Sequence, residues 1–232
     1  RPPHHIATLA ARHPDARYYI HYDAKSPLSA LSGSLKNQPN IRILSHRIPV
    51  NWGGFTMIEA ELALIQTALA HPANQHFHLI SGDCAPLVSP AGLARQCRAK
   101  PDNTPHADTA WQRSLPGKLL TKTLQAADKI LPSRQTCLSG SQWFSANRTA
   151  LQLLFTESLG EAAARFEKRL VPDEHFFQYI AAKHASQLNH LPNNHRFIRF
   201  SPNANHPDTL TLDDLWAAQR QGAWFARKVP PE

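Results

Sequence analysis

A chain of 232 residues that is 42% hydrophobic and 18% charged can bury a substantial core, which argues against disorder. Its net charge of +8 favours anionic partners, yet the cations are scattered in runs no longer than a pair and form no recognisable nucleic-acid module, so no nucleic acid is expected. Cys84, Cys97 and Cys137 cannot form a closed disulfide set, which suggests a reducing compartment, and no apolar run reaches the roughly 18 residues of a membrane helix.

Along the chain, strand and helix signals alternate. Residues 17–23, rich in aromatics and closing on Asp23, read as a strand, and Ser26-Pro27 reads as a helix start. A short strand covers residues 40–45. After Trp52-Gly53-Gly54, Thr56 and Glu59 are spaced as a capping box for a helix to about Ala70, with Ile58, Leu62, Ile65 and Leu69 on its apolar stripe. Residues 76–80 form the next strand, followed by Ser81-Gly82-Asp83, and Ser89-Pro90 opens another helix. This order implies an α/β layer with a largely parallel sheet, whose ligands lie beyond the carboxyl ends of the strands, where Asp23 and Asp83 fall. No P-loop pattern surrounds Gly53 and Gly54, which reads as a tight backbone path.

Residues 100–134 form a polar, proline-containing stretch with Trp111, Lys118 and Lys122, of a length often used for binding segments. Residues 137–146 read as a strand carrying Ser139-Gly140-Ser141 and Trp143-Phe144. Helices are expected over 148–155 and 159–170. Pro172-Asp173-Glu174 then stands at the start of an apolar, aromatic helix, and Thr211 with Asp214 opens the last helix. No repeat or linker interrupts the chain, so residues 1–232 read as one domain. His76 and His78 would share a strand face, but no third ligand stands at metal spacing and no metal is expected.

One carboxylate, Glu174, and isolated cations downstream, Arg196 and the Arg227-Lys228 pair, make the minimum set for a transferase with a diphosphate leaving group. By position alone, Glu174 reads better as a complement to the helix dipole. Trp52 reads equally as a core aromatic, and Asp23 as a cap of the following turn.

Six blocks in order resemble the core-2/I-branching N-acetylglucosaminyltransferase family, which includes the peptide O-xylosyltransferases: Ile20 to Ser26, Val50 to Gly54, Phe77 to Leu87, Ser139 to Phe144, Pro172-Asp173-Glu174, and Phe225-Ala226-Arg227-Lys228. The resemblance implies a single α/β domain of the nucleotide-sugar-binding Rossmann-like glycosyltransferase fold (GT-A type), with a mostly parallel central sheet flanked by helices. The family's first strand would lie upstream of Arg1. Such enzymes invert the anomeric centre, take a UDP-sugar as co-substrate and need no cofactor or divalent metal.

Residue by residue, the resemblance makes Glu174 the catalytic base and Arg196 and Lys228 the holders of the diphosphate, with Arg199 close enough in sequence to compete with Arg196. Asp23 would contact uridine and Trp52 would lie beside the nucleotide; Trp111, Lys118 and Trp143 are candidates for acceptor contact. The family's acid before an aromatic-Pro-apolar end is displaced here to Asp83, which leaves that residue without an assigned role. N-acetylglucosamine is the expected sugar, with UDP-xylose or UDP-glucuronate as alternative donors and a silent nucleotide- or carbohydrate-binding module as a non-enzymatic alternative. Lacking the anchor and many cysteines of animal members, the chain looks like a bacterial, cytoplasmic relative, peripheral at most to the inner membrane. Its acceptor would be a lipopolysaccharide, capsule or similar glycan.

Overall fold

The computed structural model describes residues 4–31, 33–99, 140–156, 158–188, 193–202, 204 and 206–229. Its helices are α1 (His4–Arg12), α2 (Gly33–Lys36), α3 (Thr56–Leu69), α4 (Pro90–Ala99), α5 (Arg148–Leu154), α6 (Ser158–Phe166), α7 (Phe176–Lys183) and α8 (Leu212–Arg220). The strands are β1 (Tyr18–Ile20), β2 (Ile41–Ile43), β3 (His76–His78), β4 (Cys84–Pro86), β5 (Ser145–Asn147), β6 (Arg196–Ile198) and β7 (Phe225–Arg227).

Alternation of helix and strand is as expected, but a continuous, mostly parallel sheet is not evident. Among the described residues β1 pairs with β2 in parallel, β3 with β5 antiparallel, and β7 stands between antiparallel β4 and parallel β6. The strands are only three residues long, and a side chain joins two of the ladders. The Arg196 guanidinium, rooted in β6, donates to the carbonyls of Leu79 and Phe144 just beyond β3 and before β5. The Phe144 carbonyl also accepts the Leu79 N–H at 2.9 Å, so the guanidinium adds to the end of the β3–β5 ladder and supplies a donor to the Leu79 carbonyl.

The main core gathers α3, α5, α6 and α7 around β3 and β5 through Ile58, Ile65, Phe144, Leu151, Phe166, Phe176, Phe177 and Ile180. Residues 176–180 are all buried, so α7 is enclosed along its first turn. Phe176 meets Phe55, Phe166 and Phe177 edge-on at 5.8, 6.1 and 5.2 Å, the arrangement that ring quadrupoles favour. A smaller cluster (Ile6, Leu31 and Leu35) seats α1 and α2 against β1 and β2, and a third (Leu93, Cys97, Trp224 and Phe225) seats α4 on β7.

Local chemistry explains the helix starts. Thr211 and Asp214 form a reciprocal capping box on α8, and Ser89 accepts from the Gly92 N–H at 3.2 Å at the head of α4. The box expected from Thr56 and Glu59 is absent. Phe55 precedes α3 in helical conformation, and the Thr56 hydroxyl accepts from the Asn51 N–H at 2.8 Å, closing the glycine turn instead. No helix among the described residues is long and apolar enough to cross a membrane.

Candidate active site

Asp23 lies in the loop after β1. Its Oδ1 accepts from the N–H of Lys25 at 3.0 Å and of Val50 at 3.2 Å, so one oxygen both caps its own turn and ties it to the 50–54 loop. His21 Nε2 accepts from the Ile48 N–H at 2.9 Å, and Lys25 Nζ donates to the Val50 carbonyl and to Asn51 Oδ1 at 2.8 Å. Held this way, the loop carries Trp52 outward at 84% exposure, which excludes a core role for this indole. Gly53 follows with φ +69°, a conformation glycine adopts without steric cost.

The same loop reaches the Pro-Asp-Glu segment. The Val171 N–H donates to the Gly53 carbonyl at 2.9 Å, and Phe55 packs on Phe176. Val171 has φ 54° and ψ 48°, a left-handed conformation costly for a β-branched residue. Pro172–Glu174 then form a 3-10 turn rather than the first turn of the expected helix, and α7 begins at Phe176. Pro172 and Asp173 are buried, while Glu174 is half-buried. Gly140 donates its N–H to the Glu174 carbonyl at 2.9 Å, which clamps the turn from the other side.

From Gly140 the chain runs to Trp143, over whose half-buried ring the Arg227 guanidinium lies at 5.4 Å. Lys228 follows directly; its carbonyl accepts from the Leu210 N–H at 2.8 Å, and the next residue, Val229, donates to the Asp83 carbonyl at 3.0 Å. Backbone and ring contacts therefore connect, one to the next, the five segments that carry Asp23, Trp52, Glu174, Trp143 and Lys228. Asp83 enters this set through its main chain.

Arg196 is placed differently from the other cations. Its Nη1 donates to the Asn194 carbonyl and, at 2.8 Å, to the Ser145 hydroxyl; its Nη2 donates to the carbonyls of Leu79 at 3.2 Å and Phe144 at 2.6 Å. The guanidinium sits 4.8 Å from the centre of the Phe225 ring, and burial pulls its pKa down to about 9, still protonated at neutral pH. Its η nitrogens are thus engaged within the protein. Arg199 is likewise engaged, by the carboxylates of Asp208 and Asp214. Trp111 and Lys118 lie outside the described residues.

His78 completes the Arg196 assembly. Its Nδ1 lies 2.7 Å from the Ser145 hydroxyl, and burial first, then the nearby Arg196 charge, push its pKa down to about 3. Ser145 Oγ thus takes a hydrogen from Arg196 and shares a second hydrogen bond with the neutral His78 ring, whose direction follows the imidazole tautomer.

Sequence reasoning missed a buried polar group behind the turn. Glu61, on α3, and Asp173 are both buried, and each has a carboxyl oxygen without a hydrogen-bond partner. Glu61 stands three residues after Ile58 and four before Ile65, inside the apolar stripe, and that was the legible signal. A hollow of about 390 Å³ lies elsewhere, between the head of α4 and the end of α8 near Arg95 and Gln219. It is at the opposite end of the β4–β7 ladder from Lys228.

The family profile of core-2/I-branching enzymes matches residues 6–220. This chain belongs to that family. Among curated proteins, a rice (Oryza sativa subsp. japonica) protein named glycosyltransferase BC10 is 24% identical over 169 residues, covering 62% of this chain and 40% of the rice protein. The match thus spans well under half the length of that relative. In this member of the core-2/I-branching family, the profile takes in Asp23, Trp52, Glu174 and Arg196 and ends before Lys228.

Proposed function

We propose that this chain is an inverting glycosyltransferase that moves a sugar, N-acetylglucosamine in the first instance, from a UDP-sugar to a glycan hydroxyl, with Glu174 as base. Family membership supports glycosyl transfer, and the rice relative's name agrees with it. The observation that carries the assignment of Glu174 is the double tie of its turn: Val171 to Gly53 on the side of the exposed Trp52, and Glu174 to Gly140 on the side leading to Lys228.

A sugar hydroxyl is a weak nucleophile at neutral pH. Glu174 accepts its proton as the oxygen attacks the anomeric carbon from the face opposite the nucleotide, and the bond to UDP breaks in the same step. Asp23 accepts from the uracil N–H and Trp52 stacks on the base. Lys228 meets the charge growing on the departing diphosphate, the role a divalent cation fills in other transferases. Arg196 adds a fixed positive charge from behind the strand ends rather than a bidentate clamp, because its η nitrogens hold carbonyls. The acceptor belongs to a surface polysaccharide.

Glu174→Gln is the deciding variant. It is expected to lower turnover by about 10²–10⁴-fold with UDP affinity, measured by calorimetry, nearly unchanged. Full activity in the variant removes the base assignment. Assays with UDP-N-acetylglucosamine, UDP-xylose and UDP-glucuronate, with and without excess chelator, select the donor and separate side-chain from metal neutralisation of the diphosphate.

A further inference from the structure

Three buried side-chain oxygens lack a hydrogen-bond partner behind the Glu174 turn: Glu61 Oε2, Asp173 Oδ1 and Gln178 Oε1, on residues only 5%, 7% and 3% exposed. One short segment, residues 140–142, connects their neighbourhoods. Gln142 Nε2 donates to Glu61 Oε1 at 2.6 Å, the Ser141 carbonyl accepts from Gln178 Nε2 at 3.2 Å, and Gly140 donates to the Glu174 carbonyl at 2.9 Å. A Cβ at residue 140 would stand 2.8 Å from Gln178 Nε2, so the segment passes this cluster at the closest approach a backbone allows.

The elements packed against α3 bring Tyr18 and Tyr19 on β1, Arg148 on α5, and Asp173 and Glu174 in the 3-10 turn. Arg148 is taken up by the carbonyls of Leu69, His71 and Asn74, and Tyr19 by the Asn74 amide. The charge that bears on the Glu61 carboxyl is that of Asp173, a like charge. Glu61 and Asp173 are buried on elements that pack together, with no cation paired to either among the described residues, and two such carboxyls do not both ionise.

The geometry points to Glu61 as a positioning residue for Glu174: a neutral acid that shares its buried site with Asp173 and, through Gln142 and Gly140, holds the turn bearing the base. This rests on the reading of Glu174 as that base. Ionisation of Glu61 would set a second negative charge beside Asp173, push the turn away from residues 140–142 and displace Glu174. The proton stays with the pair throughout and takes no part in the transfer.

Burial, opposed by the Gln142 hydrogen bond and reinforced by Asp173, holds the Glu61 carboxyl well above the usual carboxylate range; burial alone raises that of Asp173. The folded chain therefore keeps a proton that the unfolded chain releases. That stability is full below the ordinary carboxyl value and is lost as pH rises toward the folded one.

The test is thermal unfolding of the full chain from about pH 5 to about pH 9, for wild type, Glu61→Gln and Asp173→Asn, alongside the pH profile of kcat. Relative to Glu61→Gln, the midpoint of wild type is expected to fall steadily with rising pH, so the two curves converge at the acid end and separate at the alkaline end with the variant higher. Asp173→Asn is expected to lessen the same fall by a smaller amount, and it serves if Glu61→Gln fails to fold. The alkaline loss of kcat, up to about tenfold per pH unit beyond the ionisation, is expected in wild type and absent from Glu61→Gln; a role in packing alone would lower kcat equally at every pH. Parallel melting curves, or an Asp173→Asn curve that tracks wild type, overturn the pair. Melting curves as expected without transfer from any UDP-sugar overturn the base assignment and the positioning role with it, and leave only the shared acid site.

Discussion

The Val171 N–H meets the Gly53 carbonyl at 2.9 Å, and both residues hold positive φ, 54° and 69°. Two left-handed residues joined by one hydrogen bond set the separation of the Trp52 loop from the Glu174 turn. At Gly53 this conformation is unstrained. At Val171 it costs on the order of 1–2 kcal/mol.

Val171→Gly should relieve that strain against an entropic cost of about 0.5–1 kcal/mol for the added glycine. We expect a melting temperature equal to or above wild type together with a lower kcat, since the turn loses its rigid entry. Differential scanning calorimetry beside a transfer assay checks both. A large drop in stability would mean that the isopropyl group, not the backbone geometry, matters there.

Gly140→Ala should be costly. The new Cβ would fall 2.8 Å from Gln178 Nε2 and 3.0 Å from its Cγ, so this buried amide must move and give up the Ser141 carbonyl. The expected loss is about 1–3 kcal/mol, with a further fall in kcat because Gly140 anchors the Glu174 carbonyl. Urea unfolding and steady-state kinetics measure the two separately.

Arg196→Ala should act on the fold before it acts on the donor. It strips donors from the carbonyls of Leu79, Phe144 and Asn194 and from the Ser145 hydroxyl. Phe144 keeps the Leu79 N–H and Ser145 keeps His78, but leaving the Leu79 and Asn194 carbonyls unsatisfied costs about 2–6 kcal/mol, which for a chain of this size lowers the melting temperature by roughly 2–4 °C per kcal/mol. Unchanged stability with UDP affinity lost would show instead that the guanidinium turns toward the diphosphate.

The pH response of His78 has the opposite sign to that of Glu61. Its folded pKa of about 3 lies below the ordinary histidine value, so the unfolded chain binds a proton that the folded chain refuses. Stability is therefore full above about pH 6.5 and falls as pH drops toward the folded value, by up to about 1.4 kcal/mol per pH unit. Melting curves between about pH 4 and pH 7 should flatten in His78→Gln, provided that the variant folds; an unchanged slope would assign the acid loss to other groups.

Much of this arrangement was written locally. Thr211 with Asp214, and Ser89 with Pro90, mark their helices through contacts within one turn, and the structure has both. Thr56 and Glu59 follow the same spacing but not the same geometry, because Asn51 takes the threonine hydroxyl. Glu174 stands out as a carboxylate just before an aromatic run, yet its 3-10 turn depends on a distant glycine carbonyl that no local pattern announces. Arg196 reads as an isolated cation free to meet a diphosphate, until β3 and β5 are seen to close around it. Partners more than fifty residues away decide these cases, as they do for Glu61 and Gln142.

An indole left 84% open to water on a fixed loop has an optical consequence. Trp52 should emit at long wavelength in the empty protein, whereas the enclosed Trp224 emits to the blue. Trp216, 60% exposed on α8, adds to the red emission, so a heterocycle settling on Trp52 would quench or shift part of that component, and the bare polypeptide, without label or coupled assay, carries its own titration signal for occupancy.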